Sequence, residues 1–198
     1  MPSPLERLRL ALGRAAGPPR LAGDHAFASL ADFPGRAPVP AAVLVPVLAR
    51  PEPTVLLTRR TAHLKHHAGQ VAFPGGRIDP GDPGPVAAAL REAQEEVGLP
   101  PDRVDVLGLS DPYVTATGYR VHPVVGVVDP GVALRPNVQE VAELFEVPLA
   151  HVLDPSTHQL REAEWQGRIR RFYVIEWQGR TIWGATAGML VNLAARLP

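Results

Sequence analysis

A mixed α/β fold of α+β connectivity, with a mixed β-sheet layered between helices, is the class this sequence predicts. Three observations carry it. Short β-branched runs recur along the chain, bounded by Pro and Gly. Helical segments fall between them at irregular intervals, so α/β/α layering built from hairpins fits better than a regular strand–helix array. The 198 residues are enough for one domain with a buried core.

The elements follow in order. Residues 1–13 mix Leu with Glu6, Arg7 and Arg9 and read as a short amphipathic helix. Residues 13–40 are rich in Gly, Pro and Ala without periodicity, an irregular arm. Residues 1–38 are therefore expected to pack as helix and arm on a domain covering 39–198. Residues 41–48 and 54–58 read as strands around Pro51-Glu52-Pro53, residues 60–69 as a basic loop, and 71–73 as a brief strand ending at Pro74-Gly75-Gly76. A helix starts near Pro85, with Asp82 or Gly84 as its cap and Ala87-Ala88-Ala89-Leu90 favouring its interior. Gly98 stops it, backed by Pro100 and Pro101. Strands at 104–109 and 121–128 come next, then a helix expected over 138–145 and closed by Pro148. Trp165-Gln166-Gly167-Arg168 and Trp177-Gln178-Gly179-Arg180 read as hairpin turns on either side of a strand over 169–176. A last amphipathic helix runs from about 186 to 197.

The chain is 45% hydrophobic and 20% charged, with a formal net charge of zero. Balanced charge gives no global attraction to nucleic acid or to an anionic membrane, so any polyanion must be met by a few placed basic residues. No apolar run approaches the roughly 18 residues that span a bilayer, and the N-terminus lacks a secretory apolar stretch, so the cytoplasm is the expected compartment. Cysteine is absent, which excludes disulfides, thiolate catalysis and Cys-based zinc sites. Lys65 is the sole lysine and lies in the basic loop.

The chemistry concentrates in the helix that opens at Pro85. Val86, Leu90, Ala93 and Val97 form its apolar stripe, while Glu92, Glu95 and Glu96 stand at i, i+3 and i+4 on a different face. Like charges so spaced repel, and they crowd the helix end whose dipole disfavours anions. Taken alone the cluster reads more readily as a solvated acidic face; the loop just before the helix is what favours a bound cation. A hard divalent ion, Mg2+ or Mn2+, takes carboxylate oxygens and bridges to phosphate. Arg91, one turn before Glu95, is placed to orient it. Phe73-Pro74-Gly75-Gly76 supplies a turn whose backbone can approach metal or phosphate closely.

Gly76, Asp82, Arg91, Glu92, Glu95, Glu96, Gly98 and Leu99 together resemble the signature of the Nudix hydrolases, G-x5-E-x7-R-E-U-x-E-E-x-G-U with U a bulky aliphatic. Asp82 stands where the family usually has Glu, one extra residue separates it from Arg91, and Ala93 is small for its slot. The resemblance implies a Nudix α/β/α sandwich and hydrolysis of a diphosphate by attack of water on phosphorus. It implies Glu92 and Glu96 as main metal ligands, Glu95 in support and the Gly76 carbonyl as a further ligand. Glu140 and Glu143, expected on the later helix, are candidates for the general base, since family members often recruit a carboxylate from outside the box.

The run Leu56 to Phe73 is similar to the additional motif of the coenzyme A diphosphatase branch: Leu-Leu-Thr-x-Arg, a small residue, a basic residue four further on, Gly another four on, then Phe-Pro-Gly-Gly. Thr61 and Lys65 replace the usual Ser or Ala and Arg. Residues 115–123 and 182–187 also look like that branch. The resemblance implies coenzyme A as substrate, adenosine 3′,5′-bisphosphate and 4′-phosphopantetheine as products, and Arg60, Lys65, His66, His67, Gly69 and Phe73 as substrate-binding residues. The extra 3′-phosphate of coenzyme A calls for the extra positive charge this loop carries. ADP-ribose or a nucleoside triphosphate as substrate, and a non-catalytic binding module, are the competing readings. A homodimer is compatible with the fold class, with the arm as a contributor.

Overall fold

The computed structural model describes residues 2–13, 22–24, 37–63, 68–165 and 167–197. In chain order the elements are α1 (Pro4–Gly13), β1 (Ala22–Gly23), β2 (Val39–Leu48), β3 (Thr54–Arg60), β4 (Val71–Ala72), β5 (Gly75–Arg77) and α2 (Pro85–Val97). Next come β6 (Val104–Leu109), β7 (Tyr113–Val114), β8 (Tyr119–Val128), β9 (Val141–Pro148), α3 (Leu149–Val152), β10 (Gln159–Trp165), β11 (Arg168–Trp177), β12 (Arg180–Trp183) and α4 (Ala185–Ala195). Among the described residues no helix is long and apolar enough to cross a membrane.

The strands β2 and β8 form the spine of a mixed sheet. They run parallel from Val39↔Tyr119 to Leu48↔Val128 and are apolar on both faces, as a sheet covered on both sides requires. Antiparallel partners extend them: β5 and β3 on β2, β6 and β7 on β8, β9 on β3. Adjacent residues of β2 then feed opposite layers, because side chains alternate along a strand. Ala42 and Leu44, with Val124 and Val128 of β8, meet Ala88, Ala89, Ala93 and Val97 of α2. Val45 and Val47, with Val55, Leu57 and Val125, meet Leu8 and Leu12 of α1, Leu190 and Leu193 of α4, and Ile175 and Ile182 of the smaller sheet β10–β11–β12. The sandwich expected from sequence is therefore present, with α2 on one face and the remaining helices on the other.

Two local expectations had different outcomes. At Trp177–Arg180 the turn is a hairpin, with Gln178 at φ 45° and Gly179 at φ 75° joining β11 to β12, the left-handed pair that a tight two-residue hairpin uses. The helix expected over 138–145 is not formed. Val141–Pro148 is strand β9, paired with β3 from Thr54↔Pro148 to Arg60↔Val141. The helical spacing of Val138, Val141, Leu144 and Phe145 coincided with a β-rich composition, and seven cross-strand pairs override a weak local preference. Asn137 sets the start, since its Oδ1 accepts from the Gln139 N–H at 3.1 Å and closes a turn.

Candidate active site

Strand β5 brings the Gly turn on to the sheet. Gly75 pairs with Val43 and Gly76 with Ala42. A Cβ on Gly75 would lie 2.5 Å from the Ala42 carbonyl oxygen and 2.6 Å from Val43 Cα, both backbone atoms of the central strand. A Cβ on Gly76 would lie 2.5 Å from Glu92 Oε1. Glycine is needed here for close approach, of strand to strand at Gly75 and of carboxylate to backbone at Gly76. Gly75→Ala is accordingly expected to cost roughly 1–3 kcal/mol, because the neighbouring strand cannot give way. A chemical denaturation curve checks this, and an unchanged midpoint would refute it.

The helix α2 starts at Gly84 without a side-chain cap and stops at Gly98, which takes φ 67°. Asp82 does not cap it. Its carboxylate instead accepts from Arg91, Nε to Oδ1 at 3.1 Å and Nη2 to Oδ2 at 3.0 Å, and from the Asp79 N–H at 2.8 Å. The shorter side chain and the extra residue of the sequence thus still deliver a carboxylate to Arg91. The same guanidinium donates to Glu92 Oε1 at 2.9 Å, Glu95 Oε2 at 3.3 Å and the Arg77 carbonyl at 3.2 Å. One planar cation therefore ties the loop, the β5 backbone and the glutamate face together.

Glu92 and Glu96 have the electrostatics of a cation site. Burial pushes the Glu92 carboxyl above its ordinary range, while Arg91 pulls the other way. Glu96, 4% exposed, is pushed up to about 7 by burial; Arg60 and the Gly75 N–H oppose this, and Glu140 and Glu92 add to it. Its Oε1 lies 3.6 Å from Arg60 Nη1, and its Oε2 accepts from the Gly75 N–H at 3.3 Å. Arg60 Nε is buried without a hydrogen-bond partner. Glu95 is largely exposed and touches only Arg91 among its described polar contacts. Among the described residues no group of three His, Asp or Glu side chains is assembled as a ready metal cage. Glu92 and Glu95 lie on Arg91, and Glu96 on Arg60 and Gly75. The donor set nonetheless fits a hard divalent ion: two partly desolvated carboxylates of raised proton affinity beside a glycine backbone.

Glu140 and Glu143 separate. Neither is on a helix, contrary to expectation. Glu140 lies in the turn before β9, its carbonyl accepting from the Thr61 N–H at 2.9 Å and its Oε1 from Asn137 Nδ2 at 3.3 Å. Its charge reaches both Glu92 and Glu96. Glu143 lies on β9 between Arg59 at 3.1 Å and Arg180 at 2.5 Å, which hold its carboxyl below the usual range. A bulge in β9 between Val141 and Glu143, opposite Arg60, lies between the two. It turns Val141 toward α2, with Arg60 and Glu96, while Glu143 and Phe145 face the α4 side.

The basic loop is closed at its base: the Arg60 N–H donates to the Gln70 carbonyl and the Gly69 N–H to that of Arg60. Gly69 takes φ 70° and is exposed. Thr61 and His63 both reach the Gln139 carbonyl, at 3.1 Å each, and so fasten the loop to the turn that carries Glu140. Phe73 is buried in the α4-side core rather than beside the carboxylates. Lys65, His66 and His67 lie outside the described residues. Sequence reasoning did not single out Asp24 or Arg77, and neither stands in a pattern that marks it.

Comparisons with known proteins give the family. A family model described as the NUDIX domain matches residues 38–171. A protein of Photorhabdus laumondii named "Uncharacterized Nudix hydrolase NudL" is 47% identical over 157 residues, 79% of this chain and 84% of that one. Its namesake in Escherichia coli strain K12 is 44% identical, covering 79% of this chain and 82% of the relative. Among solved structures, the Nudix hydrolase RenU of M. smegmatis superposes with a TM-score of 0.48 and 29% identity, over 56% of this chain and 70% of that one.

Proposed function

This chain belongs to the Nudix family and is a hydrolase of pyrophosphate bonds, and from that premise we propose that its substrate is coenzyme A, cut at the diphosphate to adenosine 3′,5′-bisphosphate and 4′-phosphopantetheine. The observation that carries the site is the buried Glu96, set beside Glu92 against the Gly75-Gly76 backbone and facing Arg60. The substrate reading rests on the motif from Leu56 to Phe73, whose base is closed by the bonds of Arg60 to Gln70 and Gly69 to Arg60.

Nudix hydrolases generally use divalent metal ions; here Glu92, Glu96 and the Gly76 carbonyl would hold Mg2+ or Mn2+, with Glu95 in support, and the ion would neutralise diphosphate charge and favour attack by water. The rest falls to the chain. Arg91 fixes Glu92 and the β5 backbone in one geometry, and pre-set geometry lowers the barrier to attack. Arg60 presents a cation to an anionic oxygen at the edge of the cluster. Glu140, coupled to both glutamates and in contact with no cation among its described partners, takes the proton of the attacking water at its carboxylate. Glu143, held between two arginines, is the poorer base. The loop residues Lys65, His66 and His67 meet the 3′-phosphate. The core of this function lies in residues 39–198.

A substrate panel tests the assignment. At low concentration kcat/KM should be higher for coenzyme A than for ADP-ribose or a nucleoside triphosphate. Lys65→Ala should lower it about tenfold for coenzyme A and much less for 3′-dephospho-coenzyme A, because one charge-assisted contact to phosphate is lost. Equal losses on both would remove Lys65 from recognition of the 3′-phosphate, and a preference for ADP-ribose would overturn the substrate.

A further inference from the structure

We propose that Asp24, in the arm and outside the stretch matched by the family model, is a positioning residue for hydrolysis: it fixes the loop over residues 115–118 and, through Tyr119, the Arg77 guanidinium next to Gly76. The inference rests on the active-site reading above and extends it to a segment with no catalytic group of its own.

The contacts form one continuous path. Ala22 and Gly23 add to the sheet in parallel with Tyr113 and Val114. Asp24 then divides its carboxylate: Oδ1 accepts from the Tyr113 hydroxyl at 2.6 Å and Oδ2 from the Ala116 N–H at 2.7 Å. The Tyr113 end is packed into the core. Its ring is 4% exposed and lies against Gly188 of α4, where a Cβ would come within 2.5 Å of it. Asp24 therefore transmits the rigidity of that core to the loop beyond. Within the loop, Thr115 Oγ1 accepts from the Tyr119 N–H at 3.0 Å and lies 2.9 Å from Thr117 Oγ1, while the Gly118 carbonyl accepts from the Val39 N–H at 2.8 Å. Tyr119 ends the path. Its hydroxyl accepts from Arg77 Nη2 at 3.1 Å, and its ring centroid is 5.7 Å from Arg77 Cζ.

Arg77 differs from the other arginines of this region. Arg59, Arg60, Arg91 and Arg180 each face a carboxylate within 4 Å, whereas Arg77 has the Tyr119 phenol as its side-chain hydrogen-bond partner among the described residues, with a weaker attraction to the Asp79 carboxylate. A guanidinium held by a hydroxyl and an aromatic face keeps its charge available for an incoming anion. Its own carbonyl is gripped by Arg91, and it directly follows Gly76 on β5. An exposed, oriented cation next to a candidate metal-ligating carbonyl is placed to bind the charged part of a diphosphate before reaction.

The test uses the full chain with Mg2+ and four variants: Asp24→Ala, Asp24→Asn, Arg77→Ala and the double variant Asp24→Ala/Arg77→Ala. Two readouts are taken well below each melting temperature, kcat and KM on coenzyme A and the Kd for magnesium pyrophosphate by calorimetry. Asp24→Ala should raise KM and Kd about tenfold with kcat within about twofold, the pattern of lost ground-state binding. Asp24→Asn should stay near the wild type, since an amide still accepts from Ala116 and donates to the Tyr113 oxygen. The double variant should be no worse than Arg77→Ala alone, because both act through one contact. A change in melting temperature alone, a failure of Asn to rescue, or losses that multiply in the double variant would overturn the proposal. If the wild type leaves coenzyme A intact, the substrate assignment fails, and the pyrophosphate Kd still decides the role of Asp24.

Discussion

Glu96→Gln should abolish metal-dependent hydrolysis and yet make the metal-free protein more stable at alkaline pH. Removing one charged ligand and its share of transition-state stabilisation is worth several kcal/mol, or about a thousandfold or more in kcat. The stability effect follows from burial. Below the ordinary carboxyl range both folded and unfolded chains keep the proton on Glu96, and no cost arises. As pH rises from there toward about 7, the unfolded chain ionises while the folded one still holds the proton, so stability falls. Above that value the folded chain also carries the buried charge and the full cost applies, at most about 3 kcal/mol. Glutamine removes the charge and keeps the size. Melting temperatures measured with chelator at pH 4 and pH 8 should therefore coincide for the two proteins at the lower pH and separate at the higher one, with Gln above Glu. A Gln variant that is less stable at pH 8, or that retains full activity, would contradict the assignment of Glu96 as a buried metal-binding carboxylate.

Arg91→Lys carries the second large effect. The guanidinium serves Asp82 through two nitrogens and also reaches Glu92, Glu95 and the Arg77 carbonyl. An ammonium is a point donor without this fork, so it can satisfy one side of the network and leaves the other loose. The expected loss is roughly 2 kcal/mol in stability, from partly buried carboxylates left without a cation. Activity should fall about a hundredfold, from misplacement of Glu92 relative to β5. Denaturation midpoints and kcat at saturating metal measure the two separately. A Lys variant with wild-type kcat would mean that Arg91 supports the fold alone.

The parts of the site legible in sequence were those written in local spacing. Glu92, Glu95 and Glu96 on one turn-end of a helix are an electrostatic anomaly at any level of description, and the Gly75-Gly76 turn beside them is explained by backbone approach. What sequence misplaced or missed depended on contacts between distant segments. Residues 141–148 carry a spacing that suits a helix, and only pairing with β3 makes them a strand. Glu140, in the turn before that strand, shares the field of the carboxylates, while Glu143, on the strand, is held by Arg59 and Arg180, although both have the same side chain. Asp82 departs from the family pattern in both length and spacing, and the two departures compensate at Arg91 in a way that becomes visible in three dimensions. Asp24 meets Tyr113 across 89 residues of chain, from a segment whose composition signals only irregularity.

Incubation of the purified protein with coenzyme A and Mg2+ or Mn2+, with the products separated by chromatography, tests the central claim most directly. The expected result is equimolar adenosine 3′,5′-bisphosphate and 4′-phosphopantetheine, formed with either metal, lost on chelation and absent for Glu96→Gln. Intact coenzyme A in the presence of metal, or cleavage at a bond other than the diphosphate, would contradict it.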